Sequence, residues 1–190
     1  MSGRDLWSMG WAAGLAAVTV APAQVIVAAE YLSVQEAQRA LFPQADHFDE
    51  VVLSLSPTQR ERVAALAGPQ PPHRSLRAWR ALRAGELLGH VFVDEVIGKE
   101  DFITYAMGVD AGGHLTALEV LAYRESHGGE IRSEAWRRQF AGRHGVGELR
   151  ARVDIKDIAG ATLSCEHVTA GVRWLAALWQ VALRPAGAAG

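Results

Sequence analysis

The chain has 190 residues, long enough for one domain with a sizeable core. Its 19 basic and 21 acidic residues nearly cancel, so nothing in the charge points to nucleic acid as a partner. The single cysteine, Cys165, excludes an intramolecular disulfide framework and a cysteine-based zinc site.

At the amino terminus Arg4 precedes an apolar run from Trp11 to Val20 that resumes through Val25–Ala29. Ala21-Pro22-Ala23 and Val27-Ala28-Ala29 both fit a small-x-small cleavage site, which predicts a secretory signal over residues 1–29. An uncleaved N-terminal anchor is the alternative, although Pro22 and Gln24 interrupt a spanning stretch of about 20 apolar residues. The expected mature domain is residues 30–190, periplasmic or otherwise exported, or tethered to the inner membrane.

Ser33-Val34-Gln35-Glu36 has the form of a capping box and predicts a helix to about Leu41, ended by Phe42-Pro43. Val51–Leu55 reads as a strand. Ser56-Pro57-Thr58-Gln59 starts a second helix with proline at its first position, closed by Gly68. From Leu76 the apolar period approaches two, and 74–82, 89–97, 102–109 and 114–123 read as successive strands. Asp110-Ala111-Gly112-Gly113 is a hairpin turn. The expected fold is α+β: a single domain with an antiparallel β-meander, helices packed on one side, and a closing C-terminal helix. Arg74, Arg77, Arg80 and Arg83 recur every third residue, as a solvated face or the lining of an acidic partner's site.

After the last of these strands comes Tyr123-Arg124-Glu125-Ser126-His127-Gly128-Gly129-Glu130-Ile131, a polar loop with paired glycines. Glycines there let backbone N–H groups approach a ligand. His127 and His144 lie in glycine-rich loops, as solvated residues or ligands. Ser133 is expected to cap a short helix from Glu134 to Phe140. Trp136 and Phe140 are an i, i+4 pair, for the core or for stacking on a ligand. Leu149–Ile155 reads as a strand returning to the sheet.

Then comes Asp157-Ile158-Ala159-Gly160-Ala161-Thr162-Leu163-Ser164-Cys165, just ahead of the closing helix marked by Val168, Val172, Leu175, Leu178 and Trp179. Small Gly160 and Ala161 let a large group approach the backbone, and the helix start favours a negative group such as phosphate. Thr162 or Ser164 could alternatively be an ordinary N-cap. Cys165 reads as a small buried residue at a helix start.

The Gly160-Ala161-Thr162 stretch resembles the signature of the FMN-binding domain family, which includes the G subunit of the Rnf electron-transport complex and the C subunit of the sodium-translocating NADH:quinone reductase. The Glu125-Ser126…Gly128-Gly129 loop and the following Trp136 and Phe140 are similar to that family in the same order. The similarity runs from about Gly89 to Leu183. It implies FMN as cofactor, attached to Thr162 through a phosphoester made by a flavin transferase. Gly160, Ala161, Leu163 and Ser164 would surround the attachment. Glu125, Ser126, Gly128 and Gly129 would lie near the ring, with Arg124 stabilising the reduced anionic flavin or pairing with Glu125 or Glu130. Two positions depart from the family pattern: Ala159 stands for a usual Ser or Thr, and Lys156 for an acidic residue that the transferase recognises, with Asp154 and Asp157 nearby.

The implied function is electron relay between membrane or periplasmic redox proteins, with no catalytic residue and no metal. Two alternatives are a small periplasmic flavin-dependent reductase, with His127 as the protonating group, and a non-redox binding module that retains the fold.

Overall fold

The computed structural model describes residues 29–69, 73–124 and 129–185. The signal or anchor reading of residues 1–28 lies outside them, as do Glu125, Ser126, His127 and Gly128.

The meander forms as the alternation predicts. Strands β1 (Ala29–Glu30), β2 (His47–Val51), β3 (His73–Arg83), β4 (Glu86–Ile97), β5 (Phe102–Asp110) and β6 (Leu115–Tyr123) make one six-stranded sheet in the order β1-β6-β5-β4-β3-β2. Every pairing is antiparallel. The central strands bury both faces. In β4, Phe92 and Val96 face one core, while Val91 and Val93 face another.

Helices α1 (Val34–Leu41) and α2 (Pro57–Ala67) start at the two expected capping boxes, each with reciprocal serine and Glu36 or Gln59 bonds. They lie on opposite faces of the sheet. Ala37 and Leu41 of α1 join Trp79, Val91, Val93 and Leu121, whereas Val63 of α2 joins the core beneath α4 (Thr162–Leu178). The expectation of helices on one side is therefore corrected. A strand such as β4, apolar at successive residues from Val91 to Val93, needs cover on both faces.

Two further expectations are revised. The predicted strand at Val51–Leu55 lies earlier, at His47–Val51, where it pairs with β3 as an edge strand; Val52 beyond it is 92% exposed. Leu149–Ile155 is not a strand. It is a tight turn with one isolated bridge, Ala151 to Ile155, because the Asp154 carboxylate takes the Arg150 backbone N–H (2.9 Å) and guanidinium (2.8 and 3.1 Å) and curls the chain on itself. The short helix α3 (Glu134–Arg137) is capped by Ser133 as expected, and Trp136 and Phe140 are buried edge-to-face, 5.1 Å apart.

Arg77 and Arg80 of β3 lie on opposite faces of the strand rather than in one row. Arg77 pairs with Glu50 and Arg80 with Asp49, both at 2.9 Å on neighbouring β2. Helix α4 crosses the sheet with Val168, Val172, Leu175 and Leu178 buried, and a short π-helical turn, Trp179–Leu183, continues it. Among the described residues no helix is long and apolar enough to cross a membrane.

Candidate functional site

The site forms where α4 begins. Gly160 turns the chain with φ of +88°, a conformation that favours glycine, and a Cβ there would meet nothing within 4 Å. Ala161 is the N-cap and supplies no side-chain hydrogen bond to the helix. The N-cap alternative for Thr162 and Ser164 is thereby overturned: Thr162 is the first helical residue and Ser164 lies in the first turn. The first intrahelical bond runs from the Cys165 N–H to the Ala161 carbonyl at 2.9 Å. The N–H groups of Thr162, Leu163 and Ser164 precede that bond, and no backbone carbonyl among the described residues accepts from them.

The side chains of this turn divide by direction. Ser164 points inward, 3% exposed, with its hydroxyl 3.3 Å from the Tyr123 hydroxyl at the end of β6. Leu163 points outward and is 44% exposed. Thr162 is half-buried, and its hydroxyl makes no hydrogen bond to another described residue. Cys165 is fully buried, and burial pushes its thiol up to about 11, so it is no nucleophile at neutral pH.

Arg152 reaches this mouth from the 150–157 turn. Its Nε lies 3.2 Å from Asp157 Oδ2 and also contacts Glu166 Oε1. Glu166 is four residues after Thr162, so the two share a helix face, and a helical side chain leans towards the N-terminus. The guanidinium is therefore carried towards the Thr162 end of α4. The turn that presents it is firmly held. Trp136 Nε1 donates to the Lys156 carbonyl at 2.9 Å, Gln139 Oε1 accepts from the Lys156 N–H at 2.8 Å, and Arg143 donates to the Asp154 carbonyl at 3.2 Å. Hydrogen bonds from Arg150 draw the Asp154 carboxyl down to about 2. Lys156 turns its amine back onto the carbonyls of Arg152 and Val153. A third segment joins through His167, whose Nδ1 donates to the carbonyls of Ile97 (2.7 Å) and Gly98 (3.0 Å) at the β4–β5 turn.

Strand β6 ends beside this mouth, because Tyr123, its last residue, touches Ser164. Gly129 opens a 3₁₀ turn, Gly129–Arg132, whose Ile131 is buried in the core beneath α4. The Glu130 carboxylate is near enough to Cys165 to act on its thiol, so this turn flanks the helix start. Arg124 goes elsewhere. Strand alternation turns it away from Tyr123 to the α1 face, where it lies 3.8 Å from Glu95. The carboxylate beside it is Glu95 rather than Glu130, while Glu125, the other alternative, lies outside the described residues.

Residues 98–176 match the family model of the FMN-binding domain. This segment is an FMN-binding domain. Its indicated cofactor is FMN. No curated protein matches the chain.

The residues of the FMN-binding domain suit that cofactor. Uncapped N–H groups at a helix start can donate to a phosphate, open space lies before Gly160, and Arg152 supplies a cation beside two carboxylates. The sequence reading named Gly160, Ala161, Thr162 and Leu163, which the structure brings together. It placed Ser164 there too, beside the attachment, but not as Tyr123's buried partner. It missed Arg152, Glu166 and Tyr123. Glu166 could have been found from its i+4 spacing to Thr162, whereas no local pattern announces Arg152.

Proposed function

We propose that this chain is an exported flavoprotein whose FMN-binding domain carries FMN as a phosphoester on Thr162 and relays electrons between membrane or periplasmic redox proteins. The observation that supports attachment at Thr162 is its unengaged, half-buried hydroxyl at the first position of a helix without a side-chain cap. In this reading the N–H groups of the first turn hold the phosphate, and Arg152 offsets the negative charge of Asp157 and Glu166 around it. Leu163 offers exposed apolar surface next to the tether, and the 125–129 loop borders the ring. FMN supplies one- and two-electron transfer. Covalent attachment keeps a small cofactor from being lost outside the cytoplasm. The N-terminal signal pattern supports export, and a flavin transferase would mature the protein there.

The test is to export the protein together with a flavin transferase, run it under denaturing conditions, and measure in-gel flavin fluorescence and intact mass. The expected product is fluorescent and heavier by one FMN less one water. Thr162→Ala should be dark and unmodified, while Ser164→Ala should stay fluorescent. An unmodified mass for the wild type, or fluorescence that survives Thr162→Ala, would refute attachment at Thr162.

A further inference from the structure

The hairpin between β5 and β6 sets two imidazoles side by side. Residues 142–144 run along the start of β6: the Leu115 N–H donates to the Arg143 carbonyl at 2.9 Å, and the Gly142 N–H to the Leu115 carbonyl at 2.8 Å. This bridges His114 to His144 as an antiparallel pair, so their side chains leave on one face. The ring centroids are 4.8 Å apart and the rings are tilted by 43°. Trp179, which follows the last residue of α4, packs at this hairpin, so the pair lies away from the Thr162 mouth.

We propose that His114 and His144 together bind one divalent ion of the copper, nickel and zinc class through their Nε2 atoms. Imidazole suits these metals. A metal–nitrogen bond of about 2.0–2.1 Å puts a ring centroid about 3.2 Å from the ion. Centroids 4.8 Å apart then subtend about 97° at the ion, between the roughly 90° of an octahedral and the roughly 109° of a tetrahedral site.

The surroundings of each ring favour that role. His114 Nδ1 faces Asp110 Oδ2 at 3.4 Å, and Asp110 Oδ1 accepts the His114 N–H at 2.8 Å. A carboxylate beside Nδ1 keeps the proton there and leaves the Nε2 lone pair for a metal. His144 is braced through its backbone N–H, which donates to Glu148 at 2.9 Å. A Cβ on Gly113 would come within 3.2 Å of His144 Nε2, so glycine leaves that nitrogen uncovered. Asp110 and Glu148 keep their charge beside the rings and attract a cation. Arg184, lining the cavity next to His144, offsets one of them, and Arg143 turns its guanidinium onto the Gln139 and Asp154 carbonyls. Among the described residues no three His, Cys, Asp or Glu side chains are placed to share an ion. The protein therefore gives two ligands and water completes the shell, which the exposure of both rings allows. The bound ion clips the 142–148 segment to the hairpin.

Nickel chloride is the probe, titrated into the full chain by calorimetry while NMR follows the histidine ring signals, which the paramagnetic ion broadens. Saturable binding that broadens the His114 and His144 signals and raises Tm is expected. His114→Gln and His144→Gln should each weaken it roughly tenfold or more. Asp110→Asn keeps an acceptor for the His114 N–H but loses the charge at Nδ1, and should weaken it about tenfold. Copper chloride should bind more tightly than nickel, and magnesium chloride should not compete. His47→Gln, which breaks a second exposed His–Asp pair, and Thr162→Ala should both bind as wild type. The proposal is overturned if either ring signal stays sharp at saturation, if either His114→Gln or His144→Gln keeps full affinity, if His47→Gln abolishes binding, or if magnesium displaces nickel.

Discussion

Helix α4 can lie as close to the sheet as it does only because residue 171 has no side chain. A Cβ on Gly171 would sit 2.3 Å from the Tyr105 hydroxyl and 3.0 Å from Val96 Cγ1. Tyr105 cannot simply move aside. It is fully buried and donates to the Asp94 carboxylate at 3.2 Å, and Asp94 is itself 3% exposed. Burial and the Asp94 charge hold the phenol well above its usual range, so it stays a donor. Ordinary contact begins at 3.4 Å, so Gly171→Ala must lift α4 or displace the ring by about 1 Å. Overpacking of this kind costs about 1–3 kcal/mol. Breaking the buried hydrogen bond adds about 1–3 kcal/mol. A loss of roughly 2–6 kcal/mol should lower Tm by about 4–24 °C in a chain of this size. Calorimetry of Gly171→Ala, Tyr105→Phe and the double variant is the assay. Removing the hydroxyl should relieve part of the alanine's cost, so the two changes together should cost less than their sum. A Gly171→Ala protein melting within about a degree of wild type, or strictly additive losses, would refute the packing argument.

Arg152→Gln should change stability by less than about 1 kcal/mol, since the side chain is largely exposed, yet lower flavin loading several-fold by leaving Asp157 and Glu166 unopposed. Urea melts and in-gel fluorescence at limiting transferase separate the two effects, and unaltered loading would remove Arg152 from the site. Gly113→Ala combines a φ of +97° with the contact on Trp179 and should cost about 2–3 kcal/mol, read from urea unfolding. Burial, aided by Arg80, holds His90 neutral down to about 4 against an ordinary 6.5. Between those values the unfolded chain takes the proton first, so stability falls with pH from 6.5 to about 4, by up to roughly 3 kcal/mol. Urea melts across this window should show a slope that His90→Asn reduces; an equal slope in the variant would assign the loss to other groups.

Local signals carried much of this fold. Ser33 with Glu36 and Ser56 with Gln59 announce both early helices because a capping box is complete within four residues. The meander is legible because each strand is an apolar run and its turn is near. What was lost depends on distant contacts. That α1 covers the face opposite α4 follows from Trp79, Val91 and Val93 needing shelter, which period alone does not assign to a partner. The 149–155 segment has a strand's composition, but Arg150, Asp154 and the anchoring Trp136 and Gln139 pull it into a turn. The same limit governs the site. Thr162 at a helix start could be read from Gly160 and the apolar spacing that follows. The Arg124–Glu95 contact was not legible because strand parity, set by Tyr123 facing Ser164, decides its side of the sheet.

Ala161 is 3% exposed, packed in the interior. Evolution's usual remedy for a bare helix end is an Asp, Asn or Ser at that place. Here such a replacement would push a polar atom against hydrocarbon, so drift towards a self-sealed helix is discouraged at its first step. The entrance stays unstoppered because closing it from within would damage the interior it rests on.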